Sequence, residues 1–192
     1  MISSFYLRLC LNGKIMNIKL ASVIFCILIL TIFAPAQIKS VYTSLSDKAC
    51  KTIELNPDDG GSYLGECPGV ARYKLQLLEG DLRQSVNVIS AKGKKSELNI
   101  WHTFGGFSSV GQKAEWRIKN GVPIALIIRF NVSENPEDST KITSYLIVSK
   151  ITKTAACITD VVPPGKTQNA KARKLADASS AKPCDDFEGQ GF

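Results

Sequence analysis

Between Cys50 and Thr159 the apolar residues recur at every second position, in short runs rich in β-branched and aromatic side chains and parted by Gly, Pro, Asn and Asp. Strand side chains alternate between two faces whereas a helix repeats every 3.6 residues, so this period commits the middle of the chain to β-structure. Tyr73, Leu75 and Leu77 alternate with Arg72, Lys74 and Gln76; Glu79-Gly80-Asp81 then turns the chain into a second run, 82–89, with Val86 and Val88 on one face. That is a hairpin. The turn at 91–94 leads to a further run over 97–102, and the runs 114–119 and 123–132 flank Asn120-Gly121. This dipeptide suits a type I′ turn, because both residues accept positive φ. Residues 124–128 are apolar without a break, as a central strand covered on both faces requires. Pro123 fits at its start, where a missing N–H is tolerated. A polar turn over 135–139 precedes a long strand, 141–154, in which Ile142, Leu146 and Val148 oppose Tyr145, Ile147 and Ile151. These two strands should supply most of the core, with Trp116, alternating with Ile118, packed among them.

The pattern changes after Pro163-Pro164-Gly165, where Ala172, Leu175, Ala176 and Ser179 fall at helical spacing. They predict one amphipathic helix within about 166–180. Its apolar face is small, and a helix of ~12 residues is marginal in water by itself, so it needs a tether. Residues 185–192 read as a flexible tail. The expected fold is mainly β: an antiparallel sandwich or barrel-like sheet with one C-terminal α-helix, in a single domain over 37–184.

Residues 20–34 are apolar apart from Ser22 and Thr31, follow Lys19 and end on Ala34-Pro35-Ala36. That is the pattern of a secretory signal peptide, cleaved after Ala36. The apolar stretch is shorter than the ~20 residues a membrane-crossing helix needs, so no transmembrane helix is expected to be retained. Met16 is an alternative start to Met1. Loss of 1–36 removes Arg8, Lys14 and Lys19 and no acid, so 192 residues at +7 become 156 at +4. A chain of this size buries enough surface to fold without a cofactor, and none is expected.

Cys10 and Cys26 go with the leader, and Cys50, Cys67, Cys157 and Cys184 remain. An even set in an exported chain reads as two disulfides. Three pairings are open; the separations of 17 and 27 residues favour Cys50–Cys67 and Cys157–Cys184, and the second would hold the far end of the helix. Zinc would need close ligand pairs such as C-x-x-C, which are absent. The acidic turns at 56–61 and 134–139 carry oxygen ligands but lack the spacing of a calcium loop.

His102 is the only histidine, so a hydrolase built on imidazole must use it. The nearby Gly106-Phe107-Ser108-Ser109-Val110-Gly111 departs from a G-x-S-x-G nucleophile elbow, with Val110 where glycine is required. No catalytic set emerges. Trp101, His102, Phe104 and Phe107 instead bracket a glycine-rich loop that can present aromatic faces to a sugar or a protein. Lys92, Lys94 and Lys95 cluster in one turn, and Lys171, Arg173 and Lys174 on the helix, offering contacts to an anionic surface. A net charge of only +4 falls short of a nucleic-acid footprint.

Tyr42-Thr43-Ser44-Leu45, Cys50-Lys51-Thr52-Ile53-Glu54, Gly61-Ser62-Tyr63, Leu78-Glu79-Gly80-Asp81-Leu82-Arg83-Gln84 and Asn135-Pro136-Glu137-Asp138-Ser139 together resemble a family of small exported bacterial proteins of unknown function. The resemblance spans nearly all of the mature chain. It implies a secreted or periplasmic address and two disulfides, and carries no activity with it. The expected function is a non-catalytic, monomeric binding or inhibitor-like module of the bacterial envelope, its partner an envelope protein or an anionic or polysaccharide surface. The alternative is a small exported hydrolase using His102.

Overall fold

The computed structural model of the protein describes residues 37–58, 61–104, 106–135 and 137–185. The expected leader, with Cys10 and Cys26, and the tail from 186 lie outside the described residues. The strands are β1 (Lys39–Ser44), β2 (Lys51–Asn56), β3 (Ser62–Pro68), β4 (Lys74–Gly80), β5 (Arg83–Ile89), β6 (Lys95–Glu97), β7 (Ser108–Lys119), β8 (Val122–Ser133), β9 (Ile142–Ile151) and β10 (Ala156–Val162). A 3-10 helix covers Ile100–Thr103, the helix α1 covers Gln168–Asp177, and a second 3-10 turn covers Ser179–Ala181.

The strands hydrogen-bond in the order β10-β9-β8-β7-β5-β4-β3-β2, with β1 added on β7 and β6 on β5. Two antiparallel meanders, β2–β5 and β7–β10, meet at a single parallel bridge, Arg83 opposite Ser108. Beyond it the two backbones part, and the Gln84 side chain fills in: its Oε1 accepts the Val110 N–H at 2.7 Å. The meanders then face each other across one core. Leu75, Leu77, Val86 and Val88 from the first meet Trp116, Leu126, Ile128, Phe130, Tyr145 and Ile147 from the second.

The unbroken apolar run at 124–128 has the expected consequence. Leu126 and Ile128 enter the core between the meanders, while Ala125 and Ile127 turn outward to meet Leu146, Val148, Val162 and the helix residues Ala172 and Ala176. Asn120 and Gly121 both take positive φ, 51° and 77°, and close the β7–β8 hairpin as their chemistry predicts. Both disulfides form as favoured: Cys50–Cys67 clamps β2 to β3, and Cys157–Cys184 clamps β10 to the segment after α1.

Three expectations are corrected. The run at 97–102 does not continue as a strand: the ladder with β5 stops at Glu97, Asn99 turns left-handed, and the Ile100 N–H bonds the Ser85 hydroxyl at 3.1 Å. The β4–β5 turn lies at Asp81-Leu82 rather than 79–81, because Gly80 already pairs with Arg83. β1 lies before the region of period-two patterning, and β7 starts at Ser108 rather than 114.

The helix is held by more than its alanines. Glu115 and Arg117 alternate with the core residues Ala114, Trp116 and Ile118, so they point from β7 towards α1, where both are 8% exposed. Arg117 donates two hydrogen bonds to Asp177, at 2.7 and 2.8 Å, and Arg173 donates to Glu115 at 2.6 Å. Ser40 on β1 donates to Glu115 and accepts from Arg117. Burial pushes the Glu115 carboxyl up, but the hydrogen bonds from Arg173 and Ser40 and the Arg173 charge outweigh it and hold the group below its ordinary 4.5.

Removing one partner from such a buried set leaves a charge without compensation. Arg117→Ala should therefore cost about 3 kcal/mol in a urea unfolding experiment, far more than Lys171→Ala on the exposed face of the same helix. A carboxyl held low in the folded state adds stability above its unfolded value, and that stability is lost as pH falls through the folded value. Unfolding midpoints measured from pH 6 down through this range should fall less steeply in Glu115→Gln than in the parent protein.

Candidate functional site

The segment between β6 and β7 alternates its loyalties. Leu98, Ile100 and Phe104 are buried, and Phe104 stacks within 5.4 Å of Phe130 and 4.7 Å of Tyr145, ring centre to ring centre. Phe104 is thus a core anchor, and it leaves His102 and Phe107 displayed on the outside of the same loop, with Trp101 half-buried between core and surface. Gly106 makes the loop's return possible. A Cβ there would fall 1.9 Å from the Ser133 carbonyl oxygen, and the Phe107 carbonyl accepts the Ser133 N–H at 2.9 Å.

Displayed in this way, Phe107 is 46% exposed and stands with Leu82, 60% exposed, and Ile142, 56% exposed, around a cleft of about 270 Å³. Neither Leu82 nor Ile142 is marked by the sequence as a site residue. Leu82 sits in the second position of the β4–β5 turn with φ 57°, where a branched side chain is strained and glycine or asparagine is the ordinary occupant. Arg83 links this cleft to a second one. Its guanidinium lies 5.8 Å from the Phe107 ring centre, its Nη1 bonds Asp81 at 2.5 Å, and with Gly80, Trp101 and His102 it lines a hollow of about 450 Å³. The result is one surface, Trp101–His102–Arg83–Phe107–Leu82–Ile142, apolar and aromatic with a cation at its centre.

Lys92, Lys94 and Lys95 are not part of it. They are exposed in and after the β5–β6 turn, at the opposite end of β5 from Arg83, and Lys95 pairs with Glu97 at 2.7 Å. The helix cluster also divides: Arg173 is engaged with Glu115, while Lys171 and Lys174 remain exposed.

The His102 ring is exposed and tilts against Trp101, 6.3 Å between ring centres. Among the described residues no side chain hydrogen-bonds it, so nothing orients the imidazole as a general base requires. The acidic turn at 134–139 is accounted for by local capping: the Asn135 amide oxygen accepts the Glu137 N–H, and Asp138 accepts both the N–H and the hydroxyl of Thr140. Of the turn at 56–61, Asp59 and Gly60 lie outside the described residues. Among the described residues no three His, Cys, Asp or Glu side chains are grouped to hold a metal ion. A further cleft, about 780 Å³ and lined mainly by polar groups such as Asp47, Lys48, Gln112 and Asn131, opens where β5 and β7 diverge.

Two substitutions test how the surface is built. Leu82→Gly relieves the left-handed strain and should raise stability by about 1 kcal/mol in thermal unfolding, despite deleting an apolar side chain. Gly106→Ala must push β8 away and should lower stability by about 2 kcal/mol. No protein-family model, curated protein or solved structure matches the chain, so the surface is read from its own geometry.

Proposed function

We propose that the protein is an exported, disulfide-stabilised binding module of the bacterial envelope, and that the Trp101–Phe107–Leu82 surface is where it grips a protein partner. One observation carries this reading: Leu82, Phe107 and Ile142, three large apolar side chains drawn from three separate elements, converge in the open around one cleft, with Arg83 beside Phe107. Tryptophan and arginine dominate the energetics of protein interfaces, and a gathered apolar patch on a folded surface marks a contact rather than a solvated face. The backbone strain at Leu82 supports the same reading, since a strained exposed residue serves contact better than folding.

Export is supported by the two disulfides, which persist in oxidising compartments, and by the leader pattern at 1–36. Among the described residues no helix is long and apolar enough to cross a membrane. The competing hydrolase reading leans on His102 alone, and its unoriented ring favours the binding module.

The test is affinity capture from envelope extract, with the oxidised protein and with a Leu82→Asp/Phe107→Ser variant immobilised in parallel. The expected result is a partner held at high salt by the parent and lost by the variant, whose unfolding midpoint stays within about 1 kcal/mol of the parent's. Equal capture by both proteins would refute the assignment of this surface. Turnover on a hydrolase substrate panel that disappears in His102→Ala would replace the reading altogether.

A further inference from the structure

In an up-and-down meander alternate connections lie at the same end, and here their charges alternate with them. The connections after β2, β4 and β8 carry Asp58, Asp81, and Glu134, Glu137 and Asp138. Those after β3, β5, β7 and β9 lie at the other end and contain no acid at all: they carry Arg72, Lys92 and Lys94, Lys119 at the close of β7, and Lys153. Direct contacts hold these basic turns together. The Tyr73 hydroxyl donates to the Thr152 carbonyl at 3.2 Å, and the Ala156 N–H bonds the Ser96 hydroxyl at 3.0 Å. The pairing of Ala125 with Lys150 sets the β7–β8 turn beside the β9–β10 turn.

All five cations are exposed, and among the described residues none is in an ion pair. The carboxylates nearest them in the strands, Glu66 and Glu97, are each taken up by a neighbouring lysine, Lys74 and Lys95. One end of the protein is therefore rich in exposed cations outside ion pairs, with Asp185, whose N–H bonds the Ile158 carbonyl, an exposed acid at its margin, while the Leu82 and Arg83 surface lies at the other end.

We infer that the basic end docks on an anionic lipid bilayer, with the Trp101–Phe107–Leu82 surface facing away from it. The composition of the end selects this occupant. Four of the five cations are lysines, point charges that need no fixed fork of acceptors and so suit a fluid layer of headgroup phosphates. They stand on turn tips rather than along a groove, and these turns expose no aromatic ring on which a base or sugar would stack. Val122, 52% exposed beside Lys119, adds an apolar tip able to enter the headgroup layer. This inference is independent of the protein partner: vesicle binding must survive in the Leu82→Asp/Phe107→Ser variant whether or not that variant loses a partner.

The experiment is co-sedimentation of the purified, oxidised protein with vesicles of phosphatidylglycerol and phosphatidylcholine, and with phosphatidylcholine vesicles alone. Binding is expected on the anionic vesicles only, and should fade as salt rises from ~0.05 to ~0.5 M. Each basic residue near an anionic leaflet is worth about fivefold in partitioning, so Lys92→Gln/Lys94→Gln/Lys153→Gln should bind about 100-fold more weakly. The decisive control removes the same charge elsewhere: Lys166→Gln/Lys171→Gln/Lys174→Gln should retain most of the binding. Equal losses in the two triple variants would reduce the effect to net charge and overturn the inference. Equal binding to the zwitterionic vesicles, or binding to a soluble anionic polysaccharide in place of vesicles, would overturn it too.

Discussion

The structure depends on β8 and β9 being buried on both faces. A strand in that position cannot alternate apolar with polar, and the cost of covering its second face must be met by another element. Here Leu126, Ile128, Phe130, Tyr145 and Ile147 close the space between the meanders, while Ala125, Ile127, Leu146 and Val148 require a lid. Helix α1 is that lid. Its contact residues are small, Ala172 and Ala176, so the helix backbone approaches the sheet closely while burying little area of its own. The buried charge set then becomes necessary: Arg117 and Glu115 reach from β7 to both ends of the helix's last turns and fix its position where apolar contact alone is weak. The Cys157–Cys184 bridge, with Lys182 bonded to Asp160 at 2.5 Å, secures the chain just beyond.

The same division of labour shapes the candidate site. One loop sends Phe104 into the core against Phe130 and Tyr145, and that anchorage lets Phe107 stand exposed, with Trp101 half-buried beside it, without loosening the segment. Tyr145 is itself fixed from above: burial and its hydrogen bond to Glu134 push its hydroxyl up to about 12, so it stays protonated at any ordinary pH. Rigid support beneath a displayed aromatic surface limits the ordering cost of a contact.

What was legible in the sequence follows from the range of each interaction. Strand period, the Asn120-Gly121 turn, the doubly buried run and the spacing of Ala172 and Ala176 are local patterns, and each was readable. The cysteine pairing was readable because the partners lie close in sequence. Glu115 and Arg117 were not, since a polar residue every second position looks the same whether water or a helix covers it. β1 escaped because its pairing with β7 is remote and its own pattern short. Phe104 could not be separated from Trp101 and Phe107, because exposure within an irregular loop has no period. Leu82 carried no signal either: a leucine where a turn wants glycine reads as the start of the next strand.

The remote pairing of β1 also sets an order of events. Ser40 and Glu115 are 75 residues apart, whereas the hairpins of both meanders join neighbours in sequence. A chain made from its N-terminus produces β1 first and β7 much later, so β1 waits, unpaired, while β2–β5 can already fold on themselves. Helix α1 waits longer still, since the Glu115–Ser40–Arg117 set it closes on needs both β1 and β7 in place. Among the described residues the protein is thus sealed by its first strand and its α-helix, meeting across the same pair of β7 side chains.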